Sequence, residues 1–546
     1  MANGFLAFGL SCVLGVPVAT QAAPLQELMS PDPTQTGLFG YSLALSGDRM
    51  VIGEVFDVDF AGQAGAAHVY ERTGTGAWQP VFKLLGSDGD PNDLFGNSVA
   101  IEGERVLVGA PGDDEPTRGS GSAYVFERQP GGQWLERQKI APQVTGESFG
   151  RAVALQGNRA LIGAPRVSPQ PGHAFVYERG ANGQWTPVAE LQANDVFTGN
   201  SFGGTLALEG DRALIGAELD PQRGSAAGAV YVFERNAAGQ WLQTAKLIGS
   251  DVSAGDRFGR SLALAGNHLL IGAPVSDTTL QAVGAVYAFE RDATGAWLET
   301  AKLVPADLET GDQLGESIAI SGRRALVGAY LDNVGPAFGP GRNAGSAYVF
   351  ERDAAEHWVQ TGKILPPVPE AEGRFGITVA LQGDEALVSA TGEGVNDSGQ
   401  VHAFDAEPLE VDRTTLSGSA GGGKAWVVER RVTLELNAGP SFAGLPYRVL
   451  GSLSGTSPGL TLPGGLHLPL NADAYFSYTL APSGPPLSSS FGALDASGRA
   501  QALFELPGRI PPALLGRTLG HAFIVTDPGT GDALFVSNVQ PLVIGP

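Results

Sequence analysis

Phe258-Gly259-Arg260-Ser261-Leu262-Ala263-Leu264 is followed by Gly266-Asn267, then Leu269-Leu270-Ile271-Gly272-Ala273-Pro274, then Gly284-Ala285-Val286-Tyr287-Ala288-Phe289-Glu290-Arg291. A fourth segment runs from Trp297 to Leu303. Each segment alternates or runs apolar for four to seven residues between Gly, Asp or Asn turns, the pattern of strands joined by hairpins. No stretch has the longer 3.6-residue periodicity of a helix. The opening dipeptide recurs as Phe39-Gly40, Phe95-Gly96, Phe149-Gly150, Phe202-Gly203, Leu314-Gly315 and Phe375-Gly376, and the fourth segment as Trp78, Trp134, Trp185, Trp241 and Trp358. Seven copies of a four-stranded unit predict an all-β fold, a seven-bladed β-propeller.

The last copy has no tryptophan strand after Val401-His402-Ala403-Phe404, and the chain start offers a substitute in Leu25-Gln26-Glu27-Leu28. The N-terminal strand is therefore expected to complete blade seven, tying both ends of the ring together.

These residues resemble the FG-GAP repeat of bacterial secreted proteins and of integrin α-subunit propellers, over about residues 25–405. The resemblance implies a propeller that serves adhesion, ligand recognition or scaffolding. Integrin-like repeats often carry an acidic calcium loop between the first two strands of a blade. Here that connection is Ser46-Gly47-Asp48-Arg49, Glu102-Gly103-Glu104-Arg105 or an equivalent tight turn. Such a turn offers too few of the six to eight oxygens that calcium takes, so the integrin-type cation loops are expected to be absent and no cofactor is expected, with calcium elsewhere as the alternative.

The 2–3 loops and the blade-to-blade connections share one end of an antiparallel propeller, and those loops vary in length, which is where binding residues gather on a rigid scaffold. The expected ligand-binding set is Asp57, Asp59, Asp113, Asp114, Asp220, Asp277, Asp332, Asn333 and Asp397, acids and an amide that would meet a hard cation or a basic partner. Asp88 with Asp93, Asp251 with Asp256, and Asp307 with Asp312 recur before the Phe-Gly, which implies a structural task of holding backbone amides. His68 and His402 occupy the slot that Tyr124, Tyr231, Tyr287 and Tyr348 fill elsewhere and read as aromatic substitutes.

The 34 Lys and Arg against 57 Asp and Glu, a net charge of −23, disfavour nucleic acid and anionic membrane surfaces as partners. The apolar run from Phe5 to Ala19 followed by Thr20-Gln21-Ala22-Ala23 has the form of a secretory signal peptide over 1–23, although no basic residue precedes it. No later stretch is apolar enough to span a bilayer. The single cysteine, Cys12, lies in the leader, so the mature chain is expected to have no disulfide and no thiol chemistry. No nucleophile elbow and no phosphate-binding loop is present, and the chain is expected not to be an enzyme.

The propeller is expected over 24–405, a polar linker over 406–425, and a β-sandwich-like domain over 426–546, from strands such as Val432–Leu436, Tyr447–Leu450, Ala474–Leu480 and Ala522–Val525. The expected function is a secreted or cell-surface protein that recognises a protein or polysaccharide through the 2–3 loop face. The alternatives are a structural envelope or matrix scaffold and a carbohydrate-active propeller enzyme.

Overall fold

A computed structural model describes residues 25–405 except 34–36, 59–61, 116, 118, 143–147, 166–170, 196, 277–281, 335–341 and 394–397, together with a set of strands beyond 405. The leader over 1–23 and the strand expected at Ala474–Leu480 lie outside the described residues. The chain divides into two units, Met1–Ala406 and Glu407–Pro546. Among the described residues every regular element is a strand.

In blade 1 the four strands are Phe39–Ser46, Arg49–Glu54, Ala66–Arg72 and Trp78–Leu84, paired in that order. Five more sheets repeat this order, ending with blade 6 at Trp358–Ile364. Blade 7 takes three strands from the end of the ring, Phe375–Gln382, Glu385–Ala390 and Gln400–Asp405, and its outermost strand, Gln26–Met29, from the beginning. The first strands of neighbouring blades touch all the way round, those of blades 7 and 1 included. They therefore form the innermost ring.

The repeated dipeptides have a geometric cause. Near the end of the second strand, a Cβ on Gly109 would lie 1.9 Å from the carbonyl oxygen of Gly150 in the next blade, and one on Gly53 2.0 Å from that of Gly96. Glycine is what lets the second strand of one blade approach the Phe-Gly of the next so closely. Hydroxyls bridge the same gap: Ser42 donates to Gly96 O at 2.8 Å, Ser98 to Gly150 O at 2.8 Å, Thr205 to Gly259 O at 2.7 Å and Ser261 to Gly315 O at 2.7 Å. Blade 7 continues this into blade 1 through Thr378 to Tyr41 O at 2.9 Å. The Phe-Gly amides add a second ring of bonds, Phe95 N to Ala64 O at 2.9 Å and, across the closure, Phe39 N to Ser398 O at 2.8 Å.

Aromatic and aliphatic side chains fill the space between blades. In blades 2, 4 and 5 the Phe of the dipeptide packs edge-on against the Tyr of its own third strand, as Phe258 does on Tyr287 at 5.2 Å, and both of these are fully buried. Each interblade core combines strands of two neighbours: Leu214, Val230 and Val232 of blade 4 meet Phe258, Ile271 and Tyr287 of blade 5.

The closing seam has its own chemistry on the opposite end. The second strand starts with Arg49, Arg105, Arg159, Arg212 and Arg324 in five blades, and the guanidinium of Arg159 or Arg212 lies over the tryptophan of the following blade. Blade 7 has Glu385 there instead. It accepts the Trp78 indole N–H at 2.7 Å and pairs with Arg72, whose guanidinium stacks 4.3 Å over Trp78. Glu385→Ala strands the Trp78 indole N–H and leaves Arg72 with Gly76 O and Asp48, and a loss of about 1–3 kcal/mol is expected, to be read from the urea midpoint.

Beyond 405, strands order as Asp412–Ser417, Arg431–Asn437, Arg499–Glu505 and Leu487–Ser488 in one sheet. A second sheet contains Ala425–Val427, Gln540–Ile544, Thr518–Thr526, Pro446–Ser452 and Phe491–Ala493, with Ala533–Val536 beside Thr518–Thr526. The linker expectation over 406–425 needs correction, because Asp412–Ser417 pairs in parallel with Arg431–Asn437. Its Arg-Thr-Thr-Leu core supplies the β-branched residues that favour a strand.

Candidate functional site

At the 2–3 loop end, each of several blades ties its loop down with one ammonium. In blade 4, Lys246 on the fourth strand reaches Asp195 of the incoming connection at 2.6 Å and Asp220 of the 2–3 loop at 3.0 Å. Asp220 is fully buried. It also accepts the Tyr231 hydroxyl at 2.7 Å and the Gln222 amide at 3.0 Å. Blade 2 builds the same quartet from Asp88, Asp113, Tyr124 and Lys139, and blade 6 from Asp307, Asp332, Tyr348 and Lys363. In blade 5, Ser276 stands for the loop acid beside Asp251, Tyr287 and Lys302.

Burial pushes Tyr124, Tyr231 and Tyr348 well above the usual phenol range, and the carboxylates that accept their hydroxyls push the same way. Burial works against the charged form of Asp88 and Asp251, yet the lysine and tyrosine bonds outweigh it and hold both carboxyls below the ordinary range.

The expected ligand-binding residues are distributed accordingly. Asp57, Asp113, Asp220 and Asp332 are buried, each turned onto the lysine of its own blade. Asp114 is exposed and accepts the Gly119 amide at 2.7 Å, and Asn333 accepts that of Asn343 at 3.1 Å. Asp59, Asp277 and Asp397 lie outside the described residues. Each buried acid is thus committed to the lysine of its own blade, Asp57 in blade 1, Asp113 in blade 2, Asp220 in blade 4 and Asp332 in blade 6.

Asp93, Asp256 and Asp312 hold the amides of Asp90, Ser253 and Glu309 in the blade-to-blade connections. Burial, reinforced by Asp332 and opposed by the Glu309 amide and Lys363, pushes the Asp312 carboxyl up to about 7. Its value in the folded chain lies above the ordinary 3.8, so the protonated form contributes stability that is complete below about pH 4 and lost as pH rises to about 7. Asp312→Asn is expected to flatten that decline and to leave the variant more stable than the parent at pH 8, measured by urea unfolding at pH 5 and 8.

Blade 1 departs from the quartet. Asp32, Glu54, Asp57 and His68 bring one ligand atom each to within 4.8 Å of one another, donor types that suit a metal ion. The Lys83 ammonium already lies 2.6 Å from Asp32 and 2.8 Å from Asp57, and His68 bonds Glu54 at 2.8 Å. His68 also packs edge-on against Phe39, so it fills the aromatic slot and pairs with an acid as well. His402 does the same in blade 7, at 2.9 Å from Glu393.

The residue after each Phe-Gly or Leu-Gly lies at or just before the start of the inner strand, at the loop end: Tyr41, Asn97, Arg151, Gly204, Arg260, Glu316 and Ile377. Unlike the rest of the repeat, this position differs in every blade but two. Asn97 and Arg151 bond each other, with Arg151 donating to Asn97 Oδ1 at 2.7 Å. Arg260 donates to Glu316 at 2.7 and 3.0 Å and to Glu218 at 3.4 Å. Burial disfavours its charge, but Glu316 and Glu218 outweigh that and push its pKa up. Between the two arginines Gly204 has no side chain, and a recess of about 220 Å³ opens there, lined among others by Ser148, Arg151, Ser201, Glu218 and Arg260. The sequence signal of the recess is the Gly203-Gly204 pair, where the other blades follow the dipeptide with a bulkier residue.

The FG-GAP repeat family profile matches residues 25–70, 78–126, 185–233, 241–289, 297–350 and 358–404. No curated protein sequence matches the chain. Among solved structures, a protein from Lactobacillus plantarum is similar at 14% identity and a TM-score of 0.41, covering 62% of this chain and 86% of its own. The periplasmic gluconolactonase of Pseudomonas aeruginosa is similar at 16% identity and a TM-score of 0.39, covering 60% and 86%. The expectation that the chain is not an enzyme is corrected by this second likeness. No helix among the described residues is long and apolar enough to cross a membrane.

Proposed function

Because the chain belongs to the FG-GAP repeat family, we propose that it is a secreted or cell-surface binding protein that recognises a protein or polysaccharide through the loop end of its propeller. The observation that carries this reading is the anchoring of that end. Loops of unequal length spring from one side of the ring, and an ammonium quartet fixes the base of several of them. Rigid bases under variable loops suit recognition, because little ordering entropy remains to be lost on binding. The leader-like N-terminus supports export.

Calcium has no part in this reading. The first two strands of a blade are joined by two residues, as by Gly47-Asp48 in blade 1, and lysine supplies the positive charge where carboxylates gather. Thermal melting of the exported chain against soluble polysaccharides, matrix proteins, calcium and EDTA tests both points. A true partner at a hundredfold excess over its Kd stabilises by about 2.7 kcal/mol, and the midpoint is expected to rise with one polymer class and to ignore calcium and EDTA. A midpoint unmoved by every partner overturns the binding reading, and a fall with EDTA overturns the calcium claim.

A further inference from the structure

We propose that the recess beside Gly204 is a subsite for a hydroxylated carboxylate of single-ring size, a uronic acid unit, held by Arg151 and Glu218. The proposal rests on the loop-end binding reading and names the chemistry of one of its contacts.

Three features of the recess select this ligand. First, its positive charge is unevenly committed. Arg260 is engaged by Glu316 and Glu218, whereas Arg151 donates to a neutral amide, Asn97, and pairs with no carboxylate among the described residues. A guanidinium carries five N–H donors in a planar fork, so Arg151 retains donors suited to a carboxylate.

Second, Glu218 Oε2 is buried without a hydrogen-bond partner. A buried acceptor in that condition costs free energy until a donor reaches it. Its sister oxygen already takes Arg260, which offsets the charge of the group and would repel an incoming ammonium. Glu218 Oε2 is closed to solvent, so a rotation of the Glu218 carboxylate has to turn it to the recess, and a neutral hydroxyl is then the donor that fits.

Third, size and charge balance exclude the other anions. About 220 Å³ falls below the roughly 300–1,000 Å³ of pockets for drug-sized ligands, enough for one ring but not for a length of polymer. The Glu218 carboxylate on the wall penalises a dianion such as a phosphate monoester, while a carboxylate with adjacent hydroxyls brings one negative charge and the donor that Glu218 Oε2 accepts. Ser148 and Ser201 put two further hydroxyls on the lining.

Gly204 creates the space. A Cβ there would meet Ser201 O at 3.1 Å, which calls for a small shift of that turn, and Pro165 Cβ and Ser201 Cβ at 3.9 Å; the φ of Gly204 is outside the left-handed region and the strand begins only at Thr205, so a larger side chain enters the recess at modest local cost.

Isothermal titration of the full chain with glucuronate, glucose and glucose 6-phosphate tests the assignment, using the parent, Arg151→Gln and Gly204→Leu, each first shown to melt as the parent does. Glucuronate is expected to bind the parent at least tenfold more tightly than either other sugar, and each substitution to weaken it at least tenfold. If one variant fails to fold, the other decides. No glucuronate binding by the parent, equal affinity for glucose, or indifference to the substitutions overturns the subsite. A polymer bound equally by the parent and Arg151→Gln sinks the subsite and leaves the loop-end reading standing. Glucuronate bound where no polymer or protein binds does the reverse.

Discussion

Asp220→Ala is expected to destabilise the propeller by about 3–5 kcal/mol, because it breaks a buried ion pair from one side. The carboxylate has no exposed surface and answers the Lys246 ammonium, the Tyr231 hydroxyl and the Gln222 amide together. Its removal leaves Lys246 with Asp195, which is itself partly exposed. The paired variant Asp220→Leu with Lys246→Met removes both charges and is expected to recover most of the loss, since replacing an ion pair by apolar groups of similar volume is often close to neutral. Urea unfolding of the three chains provides the measurement. An Asp220→Ala cost below about 1 kcal/mol would mean that the quartet contributes little to the blade.

The second large effect is expected at Gly109→Ala. One methyl group there overlaps the carbonyl oxygen of Gly150 at 1.9 Å and the Ser98 hydroxyl at 2.5 Å. Backbone is the obstacle, and it moves only if the two blades part. A cost of about 3 kcal/mol or more is expected, at or above the upper end for overpacked interiors. Gly103→Ala is the comparison: its Cβ meets nothing, and only its φ of 58° opposes the change, for a cost of about 1 kcal/mol. Blade 7 has Ser389 at the position of Gly109. A Cβ on the neighbouring Gly40 would lie 2.8 Å from that of Ser389, so at the closing seam the gap is kept by the Phe-Gly glycine alone, whereas elsewhere both facing residues are glycine.

These two sites also mark what the sequence discloses and what it withholds. Strand identity and blade number are written in local signals, the Phe-Gly at each inner strand and the tryptophan at each outer one, since a pleated strand repeats every two residues. The quartets are written at longer range. Lys246 lies 26 residues from Asp220 and 51 from Asp195, so neither partner is visible within any window a strand reading uses. A trace of them is nonetheless present: Lys83, Lys139, Lys246, Lys302 and Lys363 occupy the same slot, and blade 3, with Glu190 in that slot, has Phe175 where the others place a tyrosine or histidine. That covariation within one chain would have assigned Asp113 and Asp220 to the scaffold. The recess at Gly204 was harder to foresee, because it arises from the absence of a side chain in one blade and the presence of arginine in two others.

Closing the ring with the first strand also sets an order in time. Gln26 pairs with Ala403, so the earliest strand to emerge has no partner until about 380 residues more have followed it, roughly 20–75 s at ordinary rates of synthesis. Six blades can mature in sequence while the strand that will finish the seventh waits with one edge open, and refolding from denaturant is expected to end on that capture step.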